Sequence, residues 1–318
     1  MKIKNKKMVI FLVSVLVTSI FLLFLLIKYK KIEIETFLDE KIKLYDWWGY
    51  DEEDNNFLNR LFSKMKNKYD KINIYSVFGE TGVVKKPNEL NVQISGESGY
   101  RDPTLFDINL IPASEKTSKN IIIHPHSAFF TLRRNIDYDK LIKPRKLLSK
   151  QNKFCLFAVS NCHNEERKKM FSELSKYKLV DSCGKCMNNM DRSCPGAYHG
   201  SEEYCEFIKE YKFMICFENT SQTNYFTEKL INAYVCGTIP IYWGCKNIED
   251  YINMDSILYL PPDYTENDMK LLIEKIIYLD NNDDAYREMY EKYLLKDGKI
   301  HDCFDIEKIQ QKIEECLE

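Results

Sequence analysis

The spacing of hydrophobic positions changes repeatedly along the 318-residue chain, and each change marks an element. Met8 to Ile27 is an apolar run in which only Ser14, Thr18 and Ser19 are polar. At about 1.5 Å rise per residue, a helix of that length crosses the roughly 30 Å hydrocarbon layer of a bilayer. The run passes into Lys28-Tyr29-Lys30-Lys31 with no small-residue cleavage site, so it is expected to be a membrane anchor (8–27) rather than a cleaved signal peptide. Residues 1–7, with four lysines, are the expected cytoplasmic tail, and 28–40 a charged stem. No second run of this kind follows, so the remainder is expected on one side of the membrane.

Beyond the stem, strand and helix patterns alternate. Segments 42–45, 72–78, 90–95 and 121–123 read as strands, and 55–69, with apolar residues at 57, 58, 61, 62 and 65, as a helix. The basic stretch 140–152, which contains Pro144, is expected to be a helix or linker between two halves. In the second half, 154–160, 213–217 and 239–243 are continuous apolar runs, as expected of strands covered on both faces. Shorter strands are expected at 179–180 and 257–260. Helices are expected over 164–177, 202–211 and 226–235, with two or three more before the end. This alternation predicts an α/β protein of two Rossmann-like domains with parallel sheets, facing a cleft where the carboxyl ends of the strands gather. The expected boundaries are 41–145, 146–300 and a C-terminal helix over 301–318.

Composition narrows the function. A formal net charge of −2 with no strongly basic half gives no sign of a nucleic-acid partner, which would leave an excess of Lys and Arg. The Gly-x-Gly-x-x-Gly fingerprint, Walker loop, His-Glu-x-x-His and Gly-x-Ser-x-Gly motifs are missing, which removes the common dehydrogenase, NTPase, metalloprotease and hydrolase readings. Of the eleven cysteines, Cys183, Cys186 and Cys194 cluster. They would make a zinc knuckle if His199 served as fourth ligand, but a loop with one disulfide or free thiols is the preferred reading. Cys155, Cys216 and Cys236 lie in apolar runs and are expected to pack as small hydrophobes.

Candidate chemistry concentrates at one strand end. Phe217-Glu218-Asn219-Thr220-Ser221 is followed by Tyr225-Phe226-Thr227-Glu228-Lys229, where a helix opens. A helix N-terminus with an adjacent lysine suits an anion, and a capped helix with a solvated lysine fits the spacing equally well. Together with Leu230-Ile231-Asn232-Ala233 and Gly237-Thr238-Ile239-Pro240-Ile241-Tyr242-Trp243-Gly244, this run strongly resembles the signature of the α-1,3-fucosyltransferases. Shorter matches are Asp46-Trp47-Trp48-Gly49, Ser95-Gly96-Glu97 with Leu105-Phe106-Asp107, Val159-Ser160-Asn161 with Arg167, and Gly184-Lys185-Cys186 with Asn188-Asn189, so the resemblance covers roughly residues 42–300.

The resemblance implies a GT-B-type fold and transfer of L-fucose from GDP-fucose to a glycan hydroxyl. It also implies inversion at the anomeric carbon, O3 of GlcNAc as the commonest acceptor position, and no obligatory metal or other cofactor. Position by position, it implies Glu97 as general base, Arg167 and Lys229 as diphosphate ligands, and Asn219, Tyr225 and Glu228 as contacts to the nucleotide or its sugars. With the anchor, it implies a type II membrane protein of the Golgi or an equivalent membrane. The physics is consistent: a carboxylate can take the proton of the attacking hydroxyl, and fixed cations can stabilise the departing diphosphate. Asn219-Thr220-Ser221 is an N-glycosylation sequon expected to stay unmodified, because the resemblance puts Asn219 in the donor site. Trp47 and Trp48 suit sugar stacking or core packing, and His124 and His126 read as structural. Two rival readings are a metal-dependent transferase using Asp137-Tyr138-Asp139 and a non-catalytic sugar-binding protein on a transferase fold.

Overall fold

The structure, a computed structural model, describes residues 40–49, 51–148, 151–196 and 201–318. The expected tail, the anchor 8–27, most of the stem and His199 lie outside the described residues. Among the described residues, no helix is long and apolar enough to cross a membrane.

Two five-stranded, wholly parallel sheets form two lobes. The first contains β1 (Ile42–Tyr45), β2 (Lys71–Tyr75), β3 (Glu89–Ile94), β4 (Ile108–Ile111) and β5 (Ile121–Ile123), side by side in chain order. The helices that cover this sheet lie on a single face: one comes from the β1–β2 crossover, one follows β5 and one is C-terminal. That face carries Ile72, Ile74, Leu90, Val92, Ile108 and Leu110, packed against α1 (Glu52–Leu61), α2 (His126–Arg133) and the C-terminal helix α9 (Ile306–Leu317). The opposite face carries buried amides: Asn73 donates to Asn91 at 3.3 Å and Gln93 to Asn109 at 2.8 Å. Loops close over these amides, so the expected two-sided helical cover is absent from this lobe. Its strands follow chain order without a reversal.

The second sheet has the order β10-β9-β8-β6-β7. Its strands are β6 (Lys153–Phe157), β7 (Val180–Ser182), β8 (Tyr211–Phe217), β9 (Ile239–Trp243) and β10 (Leu258–Tyr259). The chain leaves β6 for β7 on one side and returns to β8 on the other, so the reversal that opens a ligand crevice lies between β6 and β8. One face packs on α4 (Glu165–Ser175), α7 (Glu266–Asn281) and α8 (Asp283–Tyr290). The other packs on α5 (Glu202–Ile208) and α6 (Glu228–Val235).

Two features join the lobes. The linker after α3 (Asp139–Ile142) is pinned by Arg145, which lies 3.9 Å from both the Tyr234 and Tyr290 rings. Its guanidinium donates to the carbonyls of Tyr290 at 2.7 Å, Thr238 at 2.8 Å and Tyr234. The chain then ends in the first lobe, where Ile309 and Ile313 of α9 enter the core of the first sheet.

The cysteines depart from expectation. Cys162–Cys186, Cys183–Cys194 and Cys205–Cys236 are disulfides, so the cysteine loop holds two bridges and Cys236 is not a free buried thiol. Adjacent strands β6 and β7 bring Cys162 beside Cys186, and that proximity outweighs the closeness of Cys183 and Cys186 in sequence. Cys155 and Cys216 are free and buried, as expected.

Candidate active site

The candidate residues come from strand ends. β3 ends at Ile94, and Ser95 Oγ then accepts from Glu97 N at 3.2 Å and donates to Gly99 O at 2.6 Å. This tight loop presents Glu97 to a cleft between the lobes with a volume of about 330 Å³. The first lobe contributes Glu97, Gly96, Trp48, Phe78 and His126, and the second contributes Asn219, Tyr225, Thr227, Glu228 and Lys229.

The lobes touch through the candidate residues themselves. Asn219 Nδ2 donates to Glu97 Oε2 at 3.4 Å, and Asn219 Oδ1 accepts from the buried Tyr225 hydroxyl at 2.9 Å. His126 Nδ1 stands 3.3 Å from Glu228 Oε2, an ion-pair distance without good hydrogen-bond alignment. Below them, Ser127 N donates to Phe226 O at 3.0 Å and Asn224 Nδ2 to Ala113 O at 2.7 Å, which stitches segment 219–228 to the first lobe.

Glu218 organises the second-lobe wall, and it was missed as a functional residue. It is fully buried at the end of β8. Its Oε1 accepts from Thr227 N at 2.7 Å, while its Oε2 accepts from Thr227 Oγ1 at 2.9 Å and from Lys229 Nζ at 3.2 Å. Thr227 is the N-cap of α6 but its side chain caps nothing; the buried Glu218 accepts from Thr227 N instead and adds its negative charge to that of Glu228 in the first turn. Gly244 leaves room for this carboxylate: a Cβ there would sit 2.6 Å from Glu218 Cγ. The signal in the sequence was an acidic residue at the end of a buried strand beside Asn219.

Lys229 Nζ also donates to Thr227 Oγ1 at 2.8 Å, so two of its three N–H groups are engaged and one is left for the cleft. Burial opposes its charge, but Glu218 and Glu228 outweigh burial and raise its pKa. Burial likewise disfavours the Glu228 carboxylate, yet Lys229 and His126 hold its pKa below the usual carboxylate range. The pair therefore stays ionised throughout the neutral range.

Arg167 is placed differently. It is 2% exposed and does not line the cleft. Its Nε donates to Phe217 O at 2.9 Å and its Nη1 to Asn161 O at 3.4 Å, which ties α4 to the end of β8. Burial lowers its pKa, and the charges of Glu218, Tyr225 and Glu228 work against that. Asp137 and Asp139 lie away from the cleft; Asp137 caps the backbone of Asp139, and Asp139 pairs with Lys143 at 2.6 Å.

Two facing α/β lobes with a cleft at their strand ends define a GT-B-like fold. A crystal structure of an α1,3-fucosyltransferase with GDP shares this fold at a TM-score of 0.66 and 22% identity, over 87% of this chain and 89% of that one. Residues 148–315 match glycosyltransferase family 10 (fucosyltransferase), C-terminal part, and the chain belongs to that family. A protein of Acanthamoeba polyphaga mimivirus with a provisional fucosyltransferase name is 28% identical over 88% of this chain and 45% of its own length. The α-(1,3)-fucosyltransferase FucT of Helicobacter pylori is 33% identical over 46% of this chain and 29% of its own length. The chain thus spans less than half the length of these curated relatives.

Proposed function

We propose that this chain transfers L-fucose from GDP-fucose to a glycan hydroxyl, with O3 of a GlcNAc residue as acceptor position and inversion at the anomeric carbon. The observation that carries this reading is Glu97 facing Lys229 and Glu228 across one cleft. The acceptor O–H proton passes to Glu97 as that oxygen bonds to the fucose anomeric carbon, and the carbon–oxygen bond to GDP breaks with its electron pair on the diphosphate. Lys229 stabilises the charge gathered there through its remaining N–H, and Arg167 adds its field from behind the wall. Glu228 takes the sugar hydroxyls of the donor. Asn219 and Tyr225, hydrogen-bonded to each other and through Asn219 to Glu97, contact the nucleotide or its sugars. The residues of the chain supply the stabilising charge, so no metal is required.

In this reading 41–145 is the acceptor side, 146–300 holds the donor, and 301–318 closes the fold. Residues 8–27 anchor a type II membrane protein of the Golgi or an equivalent compartment. Three disulfides support an oxidising lumen for the folded part. The test is GDP release from GDP-fucose with N-acetyllactosamine, with and without EDTA, and NMR of the product anomer. Turnover in EDTA with an inverted anomer is expected. Retention of configuration, loss of activity in EDTA, or exclusive use of another nucleotide sugar would overturn the reading.

A further inference from the structure

We infer that Trp48 and Phe78 form an acceptor subsite, a rigid aromatic platform that takes the C–H face of a pyranose ring while a hydroxyl of that ring reaches Glu97. The inference rests on the donor reading above for the role of Glu97, but the platform is argued from its own geometry. Trp48 is 37% exposed and Phe78 53%, and both line the cleft on the lobe that carries Glu97. Exposed rings of this size are usually mobile or buried in a contact, but these are held. Trp47 stacks on Trp48 with ring centres 4.2 Å apart and planes 20° apart. Phe129 and Phe78 meet Trp48 edge-on at 5.4 and 5.8 Å.

The two loops that carry the rings are locked together by Asp46. Its backbone takes a left-handed turn at φ 55° where β1 ends, which directs the chain out of the sheet. Its carboxylate accepts from Thr81 N at 3.0 Å and Thr81 Oγ1 at 2.7 Å, and Arg101 Nη1 stands 3.5 Å away. Its carbonyl accepts from Ser76 Oγ. A Cβ at Gly79 would come within 2.3 Å of Asp46 Oδ1, so the second loop passes this close only because position 79 is glycine. The loops at 46–49 and 76–81 therefore present Trp48 and Phe78 as one pre-set aromatic corner, with ring planes 75° apart, and binding to it does not require ordering them.

Sugar chemistry fits this surface. One face of a pyranose is rich in C–H groups and suits an aromatic ring, while the hydroxyl rim needs polar partners, which Glu97 offers in the same cleft. The competing occupant is the base of the nucleotide. It is disfavoured because the cation beside the diphosphate, Lys229, belongs to the opposite wall. Orientation of the acceptor by the platform is what would hold its hydroxyl at the base.

The test uses the full chain with N-acetyllactosamine as probe, in transfer assays and in tryptophan fluorescence titrations, with GDP binding measured separately. Trp48→Ala and Phe78→Ala are expected to raise the acceptor KM at least about tenfold, with the Kd for GDP held within about twofold. Trp48→Phe should recover part of the loss. Thr81→Val, which leaves both rings in place but removes the Thr81 hydroxyl bond to Asp46, should raise the acceptor KM more than it lowers kcat. An unchanged acceptor KM in Trp48→Ala and Phe78→Ala overturns the platform, and so does an equal weakening of GDP binding, which would mark a base-stacking site. Failure of the donor reading looks different: wild-type chain would not bind GDP, yet a fluorescence change with N-acetyllactosamine that Trp48→Ala abolishes would still support the platform. No saccharide-dependent change in the wild-type chain overturns it.

Discussion

Replacing Glu218 by Gln tests how the fold holds its candidate cation. The side chain is fully buried and binds Thr227 N at 2.7 Å, Thr227 Oγ1 at 2.9 Å and Lys229 Nζ at 3.2 Å. Gln keeps the volume and an acceptor for Thr227 N, but then turns its NH₂ toward the lysine. Removing one partner of a buried ion pair costs about 3–5 kcal/mol. Lys229 is 29% exposed and keeps Glu228 at 3.8 Å, so the lower end applies, about 3 kcal/mol. Urea unfolding at pH 7 reads this as a lower midpoint at unchanged slope. The cost should shrink by about 1–2 kcal/mol when Lys229→Met is already present, because the stranded charge is then gone. A loss under about 0.5 kcal/mol in the single variant, or strict additivity in the double, would refute the view that Glu218 is the counter-ion that fixes Lys229.

Other expectations follow from single contacts. In Gly96→Ala the new Cβ would lie 2.9 Å from His126 Cδ2, and that ring is backed by Phe129, so a loss of about 1–3 kcal/mol is expected. The double variant with His126→Ala should regain most of it in urea unfolding. His124 is buried, and burial, then His126 and Lys312, pulls its pKa from 6.5 down to about 3. The unfolded chain therefore binds the proton first, and stability falls as pH drops below 6.5. This loss should build up between pH 7 and pH 4.5, and it should vanish from the pH–stability curve of His124→Asn. Arg145→Met would remove the guanidinium from the carbonyls of Thr238 and Tyr290 and leave that of Tyr234 with Gly237 N alone, and should cost about 3 kcal/mol; a loss under about 1 kcal/mol would show that the clamp carries little.

The parts of the fold that were legible in the sequence are those governed by local pattern. The apolar runs at 213–217 and 239–243 became β8 and β9, and Asn164 before two acidic residues became the cap of α4. Parts governed by distant contacts were not legible. β4 went unread because Asn109 breaks a four-residue run, and its amide is tolerated there because it accepts from Gln93 on the next strand and donates to the carbonyls of Pro103 and Asn120. The first helix begins at Glu52, earlier than its apolar spacing suggests, because Asp51 and Asp54 form a capping box. Within the site, Glu97, Asn219, Tyr225, Glu228 and Lys229 line one cleft, while the burial of Arg167 depends on how α4 lies against β8. Spacing alone also could not separate the exposed Trp48 from Trp47 behind it, since the turn at Asp46 sets which ring faces the cleft.

Pairing turnover with GDP calorimetry on two variants separates the candidate base from the candidate cation most directly. Glu97→Gln is expected to lose at least about 100-fold in kcat while its Kd for GDP stays near wild type, because in the proposed reaction the carboxylate, which lines the cleft, takes the acceptor proton. Lys229→Ala is expected to weaken both GDP binding and turnover, because in the proposed reaction its charge faces the diphosphate in both states. Near-normal turnover in Glu97→Gln, or tight GDP binding in Lys229→Ala, would contradict that division of labour across the cleft.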